Sequence, residues 1–456
     1  MDVVVVIMVV VLVLALVIGG VFVGLAIRKS IRQARVREAI SAYGWQTDPN
    51  PSLERVAGLA LPPFDMGFGR WLSKTIVGTA SNGTPFQAFQ YRHTVPPFNA
   101  RVAMIALPKA FPELYVSTDR DRHRRIGVRA AKVNLDPRWE PVLEAAGDAD
   151  FATALLSPPV LDALAQWAVD SPAGRGFDLS VDGANLVAVG APTTDEPDEL
   201  KVFVDRLAQV AAMIDWEALA RFAIEPKSPR LGFRGTDWQW LPQSQGPVAQ
   251  FAGIGPVGTG QNPTSNDIVT GTHRGIGFTG FQYQWQTTRT YTTHVNNMTQ
   301  VHTQTITHHQ PVLALRLPAP VPTLTIARGK QPYALRVGPV QPTPFPAFDA
   351  MFDVWSSHPQ FLADVLTEQL ASWFLHWKPS LVIMTGSTVI TFPAEHTPPT
   401  LWASLDFVCA FCDQIPERVW QTVGSPRPGL RPSVSAPAEL AEPDGFVEPE
   451  GIVGQA

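Results

Sequence analysis

The chain states one pattern twice, and this duplication constrains its fold more than any other feature. Ile76-Val77, Gly78-Thr79, Gly83 and Phe86, then Phe89-Gln90-Tyr91, return as Ile268-Val269, Gly271-Thr272, Gly275 and Phe278, then Phe281-Gln282-Tyr283. Leu107-Pro108, Pro112 and Leu114 return as Leu317-Pro318, Pro322 and Leu324, and the run Leu200 to Ile214 returns as Leu401 to Ile415. Self-similarity decides architecture before any local pattern does, so two units of one design are expected in tandem. The repeat also filters candidate sites: a residue whose counterpart in the other copy is chemically bland is expected to be structural.

Each copy runs from strands to helices, which predicts an α+β unit with an antiparallel sheet and not a parallel one. In the first copy, alternation over Phe86 to Tyr91 after Asn82-Gly83 predicts a hairpin, followed by strands at Arg101 to Leu107 and Leu114 to Ser117. A helix over Phe151 to Ala168, a hairpin about Asp182-Gly183 and a helix from Pro197 to Ile214 complete it. The second copy repeats the order, with a helix near Gln360 to Trp377, a hairpin about Gly386-Ser387 and a helix from Pro399 to Ile415. The first unit is expected over 44–220, a linker over 221–236 and the second unit over 237–422. Proline is frequent, 43 of 456 residues against a usual share of about 5%, which suits short strands and punctuated loops. Beyond residue 423, prolines and acids with almost no aromatics predict a disordered tail over 423–456 that recruits a protein partner.

The N-terminus predicts a membrane anchor. From Val3 to Ile27 the chain has no charged residue and is rich in Val and Leu, long enough to cross a hydrocarbon core of about 30 Å, so a transmembrane helix is expected over 3–27. Arg28, Lys29, Arg32, Arg35 and Arg37 follow it in a basic juxtamembrane helix, 28–43, with Tyr43-Gly44 as its stop. The positive-inside rule then makes the chain a single-pass protein of the cell membrane, N-terminus outside and the duplicated units cytoplasmic. A second basic run includes Arg122, Arg124 and Arg125. Held near a membrane, both runs suit contact with anionic lipid headgroups, at about 1 kcal/mol for each cation near the surface.

Span, basic stretch, Gly78-Thr79 followed by Phe86-x-x-Phe89-x-Tyr91, and Leu107-Pro108 together resemble uncharacterised single-pass membrane-anchored proteins of actinobacteria. That group has no assigned activity, so the resemblance implies an anchored two-unit architecture and carries no catalytic residue to this chain.

The remaining motifs yield little chemistry. Cys409 and Cys412 have the spacing of a redox couple or half a zinc site, yet their counterparts are Ala208 and Ala211, as on the buried face of a helix. Gly253-Ile254-Gly255-Pro256-Val257-Gly258 matches a dinucleotide-binding string literally. It lacks the strand before it and the helix after it, so a glycine-rich loop is expected. Five of the ten histidines fall between His273 and His309, and four of them lie in a threonine-rich insertion over 287–309, expected as a two-stranded arm turning at Asn296-Asn297. On that register His294 and His309 share one parity, and His302 and His308 the other. His302 and His308 are the metal-site candidates, set against solvated polar residues on a protruding hairpin or a pH-responsive contact.

No Asp or Glu occurs from Met66 to Pro112, where Arg70, Lys74, Arg92, Arg101 and Lys109 occur, or from Ile268 to Phe348, so both sheets are expected to be cationic and to lack paired carboxylates. A net charge of −5 gives no reason to expect nucleic acid. The reading is a membrane-anchored, non-catalytic interaction or scaffold protein without a cofactor. The alternative is a metal-dependent or hydrolytic enzyme using the histidine arm.

Overall fold

A computed structural model of the chain describes residues 27–118, 131–171, 176–190, 196–226, 231–233, 236–295, 298–331 and 334–424. The chain divides into two compact units after Pro242.

The first described element is a helix over 27–42, α1, which ends where Gly44 takes a left-handed φ of 70°. This corrects the expected membrane-spanning helix and the single-pass label: among the described residues no helix is long and apolar enough to cross a membrane. Residues 3–26 of the expected span lie outside the described residues. The described part of α1 opens on turns that carry four cations, Arg28, Lys29, Arg32 and Arg35.

Unit 1 is built on a seven-stranded antiparallel sheet. The strands are β1 (Gln46–Asp48), β2 (Trp71–Thr79), β3 (Pro85–His93), β4 (Phe98–Ser117), β5 (Lys132–Val133), β6 (Glu144–Gly147) and β7 (Asp178–Val189). Their order is β1-β2-β3-β4-β6-β5, with β7 on the other side of β4. β4 pairs with β3 through its first half and with β6 through its last residues, while β7 runs along it from Val102 to Ser117. Helices α2 (Ala149–Leu155) and α3 (Pro158–Asp170) lie between β6 and β7, and α4 (Pro197–Met213) follows β7.

Unit 2 repeats this plan on a six-stranded sheet of order β12-β11-β10-β9-β8, with β13 against β11. Its strands are β8 (Gln239–Ser244), which crosses the division between the units, β9 (Gln261–His273), β10 (Ile276–Val295), β11 (Met298–Arg328), β12 (Phe352–Ser356) and β13 (Leu381–Thr391). Its helices are α5 (Gly246–Gln250), α6 (Pro346–Asp349), α7 (Pro359–Val365), α8 (Glu368–Trp377), α9 (Pro398–Gln414) and α10 (Glu417–Thr422). The correspondence is element by element: β2, β3, β4, β6 and β7 match β9, β10, β11, β12 and β13, and α2, α3 and α4 match α7, α8 and α9.

The repeated Leu-Pro motif marks the bend of the longest strand in each unit. Between Ala106 and Phe111 in β4, and between Arg316 and Leu324 in β11, the ladder loses its register. Proline has no N–H to give a ladder and is tolerated at such breaks. Opposite them lie Gly183 and Gly386, with φ of 58° and 52°. The hairpins expected at these glycines are therefore corrected: β7 and β13 are each one strand, kinked at the glycine and paired with the same neighbour on both sides of it. A glycine with φ above zero bends a strand without reversing it. The helices expected over Phe151 to Ala168 and Gln360 to Trp377 are each two, because Pro158-Pro159 opens α3 and Thr367 caps α8 through the Leu370 N–H at 3.2 Å.

Alternation along the central strands of unit 1 fills both faces of the sheet. Ala88, Ala103, Ile105, Leu186 and Ala188 meet Leu164, Leu200, Val204 and Leu207 on the helical side. Phe89, Tyr91, Val102, Met104, Val187 and Val189 meet Val56, Leu59 and Phe64 on the other. In unit 2, Phe281 and Tyr283 pack against Val248, Phe251 and Val257, and a Cβ at Gly280 would lie 2.8 Å from Leu401 of α9. The duplicated Phe-x-Tyr is thus core, on the face away from the long helix.

Candidate functional site

Only the last turns of α1 are packed. Val36, Ile40 and Tyr43 join the helical core of unit 1, and Trp45 donates to the Thr79 carbonyl at 3.1 Å. Tyr43 donates to Asp198, a hydrogen bond that raises the phenol above its usual range. Residues 27–35 are exposed on every side. At about 100° per residue, Arg28, Lys29, Arg32 and Arg35 fall within about a third of the circumference, and Ile27, Ile31 and Ala34 form the neighbouring strip. Ile27 and Ile31 are 55% and 49% exposed. Arg37 lies outside that cationic strip and donates back to the Gln33 carbonyl. A cationic strip beside an apolar one is the layout of a helix that lies at a lipid interface. Arg122, Arg124 and Arg125 lie outside the described residues.

Not every cation of the sheet is a surface group. Arg70, counted with the sheet cations from sequence, is 3% exposed. It donates to the carbonyls of Gly67, Phe64 and Gly232 at 2.8, 2.9 and 3.1 Å and lies over the Phe233 and Trp240 rings. Nearby, burial pushes the Tyr91 phenol up to about 12 and the His93 imidazole down to about 4, the latter opposed by the Pro96 backbone and reinforced by the charge of Arg70.

The arm forms as the sequence predicts, with Val295 opposite Met298. It uses two of its histidines, His302 and His308, as clamps. His308 stacks on its cross-strand neighbour Trp285 at 5.0 Å, and its Nε2 lies 2.7 Å from the Thr287 hydroxyl. Six residues away, His302 stacks on Tyr291 at 5.2 Å, with Nε2 2.8 Å from the Thr293 hydroxyl. Both rings share one face of one strand, roughly 20 Å apart, which is too far to share an ion with bonds of about 2 Å. Among the described residues no three His, Cys, Asp or Glu side chains gather as metal ligands do.

Cys409 and Cys412 are buried, as Ala208 and Ala211 are. Burial pushes the Cys409 thiol up to about 11, which keeps it protonated and unsuited to nucleophilic work. The glycine-rich stretch is a run of turns after α5, held by Tyr283, whose hydroxyl donates to the Thr259 carbonyl and accepts from the Gly258 N–H.

Sequence reasoning missed an aspartate latch present in both units. In unit 1, Asp205 of α4 accepts from the Ser81 backbone N–H at 2.7 Å, the Ser81 hydroxyl at 2.8 Å and Lys201 at 2.6 Å, pinning the β2–β3 turn to the long helix. Desolvation pushes this carboxyl upward, but the hydrogen bonds from Lys201 and Ser81 outweigh it and hold the group below its ordinary value. In unit 2 the equivalent Asp406 of α9 lies 2.8 Å from Nε2 of His273, the last residue of β9 before the β9–β10 turn, and His273 packs edge-on against Trp402. Arg274 adds a contact to Asp413 at 2.8 Å. The signal was available: an aspartate at the same place in both copies of a largely apolar helix. Between α3 and α4, a shallow depression lined by Gln166, Trp167 and Gln209 is bridged by Arg206 and Asp170 at 3.0 Å.

No family model matches the chain, and no curated protein matches it. Among solved structures, the crystal structure of the mycobacterial trehalose monomycolate transport factor A, TtfA, matches at 14% identity with a TM-score of 0.28, over 40% of this chain and 88% of that one. A likeness of that extent carries no inference about this chain.

Proposed function

We propose that this chain is a non-catalytic interaction protein that lies against anionic lipid headgroups through α1 and offers its two duplicated units to protein partners. The observation that carries this reading is the contrast within α1, packed from Val36 onward and bare over 27–35, where cations and apolar residues occupy adjacent strips. Leaving nine residues of helix uncovered gains no tertiary packing, the main source of helix stability in proteins. A headgroup layer supplies both halves of what is missing, charge for Arg28, Lys29, Arg32 and Arg35 and an apolar boundary for Ile27 and Ile31. The non-catalytic part rests on where the reactive side chains go: the cysteines into the core, His302 and His308 onto aromatic rings and threonines, and Asp205 and Asp406 onto turns. The proline-rich acidic tail adds a recruiting segment on composition alone.

The test is partition of the full chain between buffer and vesicles, comparing phosphatidylcholine with the same lipid carrying one third phosphatidylglycerol. The difference between the two isolates the electrostatic part. It is expected to shrink with added salt and to fall by up to about a thousandfold when Arg28, Lys29, Arg32 and Arg35 are all changed to Ser, at about 1 kcal/mol each. Equal partition to both vesicles would refute the lipid contact.

A further inference from the structure

The arm of unit 2 is an open seam. β10 loses its pairing with β9 after Gln286↔Gln261, and β11 pairs with β13 only from Leu313↔Thr391 onward. Among the described residues, Met298 to Val312 of β11 therefore pairs with β10 alone, and 298–306 stands past β9 as roughly 30 Å of two-stranded ribbon. Proteins guard such edges with lysine, proline, bulges or brevity. Along 298–310 none of these protects this one, and Pro311 stands only at its base. The β10–β11 register runs unbroken from Phe278↔Leu315 to Val295↔Met298, and residues 298–310 contain no Lys, Arg, Asp, Glu, Pro or Gly. A two-stranded ribbon is at best marginally stable alone in water, so this segment gains from a further strand.

We infer that the β11 edge of the arm pairs antiparallel with the same edge of a second copy of this chain, joining two arms into a four-stranded ribbon. The pattern of the strand singles out that partner. An antiparallel pair about a twofold axis sets residues of one face against the same face of the twin. On one face Thr299, Val301, Thr303, Thr305 and Thr307 then meet one another, the β-branched and hydroxyl pairs that stabilise neighbouring strands. On the other face His302, Gln304, Ile306 and His308 meet their own kind. The seam holds no acidic or basic pair in any register, because Arg289, the one Arg, Lys, Asp or Glu residue of the insertion, is on β10. Val301 is 67% exposed and Ile306 36%, and both would be covered. This pairing does not depend on the lipid contact, which belongs to the other unit.

Sedimentation equilibrium of the full chain over a hundredfold range of concentration tests it. A monomer–dimer equilibrium is expected, weakened at least tenfold by Thr303→Lys with Thr305→Lys, which set like charges across the seam. Thr290→Lys puts a lysine on the same face of the arm but on β10, and is expected to leave the equilibrium unchanged; this separates the seam from any general effect of charge. A chain that stays monomeric throughout overturns the proposal, whether or not the edge accepts an extended peptide. So does a dimer that both lysine variants preserve.

Discussion

The two units fasten the same turn to the same position of the same helix, but with different chemistry. Asp205 gathers three donors and its side chain is 28% exposed, whereas Asp406 meets one imidazole and is 59% exposed. The carboxylate persists while its partners change from Ser81 and Lys201 to His273, whose ring packs on Trp402. What the two copies share is the need to tie a hairpin turn to a helix, and the tie is the part each copy has altered. A second difference lies one strand further on. Phe89-x-Tyr91-x-His93 in β3 becomes Phe281-x-Tyr283-x-Trp285 in β10, so unit 1 buries an imidazole where unit 2 buries an indole.

The comparison is broken most severely through its shared core. Leu200 and Leu401 are both buried, and Leu200→Ala or Leu401→Ala is expected to cost about 2–5 kcal/mol. Amide exchange should report the loss in the altered unit only; equal loss of protection in both would mean that they do not unfold separately.

Acid sharpens the contrast at His93. The unfolded imidazole takes a proton near 6.5 and the native one only near 4, so below pH 6.5 the unfolded state binds more protons and unit 1 loses stability down to about pH 4. The full loss is on the order of 3 kcal/mol. Denaturant midpoints from pH 7 to 4 should show it, and His93→Phe should flatten the slope.

The latches come next. Asp205→Asn should cost unit 1 about 1–3 kcal/mol, as expected for hydrogen bonds to a charged group. Asp406→Asn should cost unit 2 less than about 1 kcal/mol, since its single exposed contact is worth little. Because the native Asp205 carboxyl is held below its ordinary value, its contribution is present above the unfolded carboxylate range and is lost as pH falls through the lower native value. Exchange at the β2–β3 and β9–β10 turns distinguishes the two.

The smallest effect belongs to the cysteine. Cys409→Ala, which gives unit 2 the side chain Ala208 supplies in unit 1, should cost about 1 kcal/mol in thermal unfolding and leave lipid partition unchanged.

Much of this architecture was legible because the repeat doubles the evidence at each position: the strand-then-helix order, the long helices, the arm and the buried Cys-x-x-Cys all follow from it. The kinked strands were not, since Asp182-Gly183 and Gly386-Ser387 carry turn chemistry that tertiary pairing with β4 and β11 converts into a bend. Nor was the membrane-spanning helix borne out among the described residues. Arg70 was misplaced because a guanidinium held by three carbonyls and two rings looks, in sequence, like any surface cation. The latches escaped because their partners lie far apart along the chain and differ between copies.

The central claim is that residues 27–35 are bare in water and covered by anionic lipid. Amide exchange of the full chain along α1, with phosphatidylcholine vesicles and then with vesicles carrying one third phosphatidylglycerol, tests it most directly. Protection is predicted to rise at least tenfold over 27–35 with the anionic vesicles alone, and to stay constant over 36–42, which is already packed. Unchanged exchange over 27–35 with the anionic vesicles would contradict it.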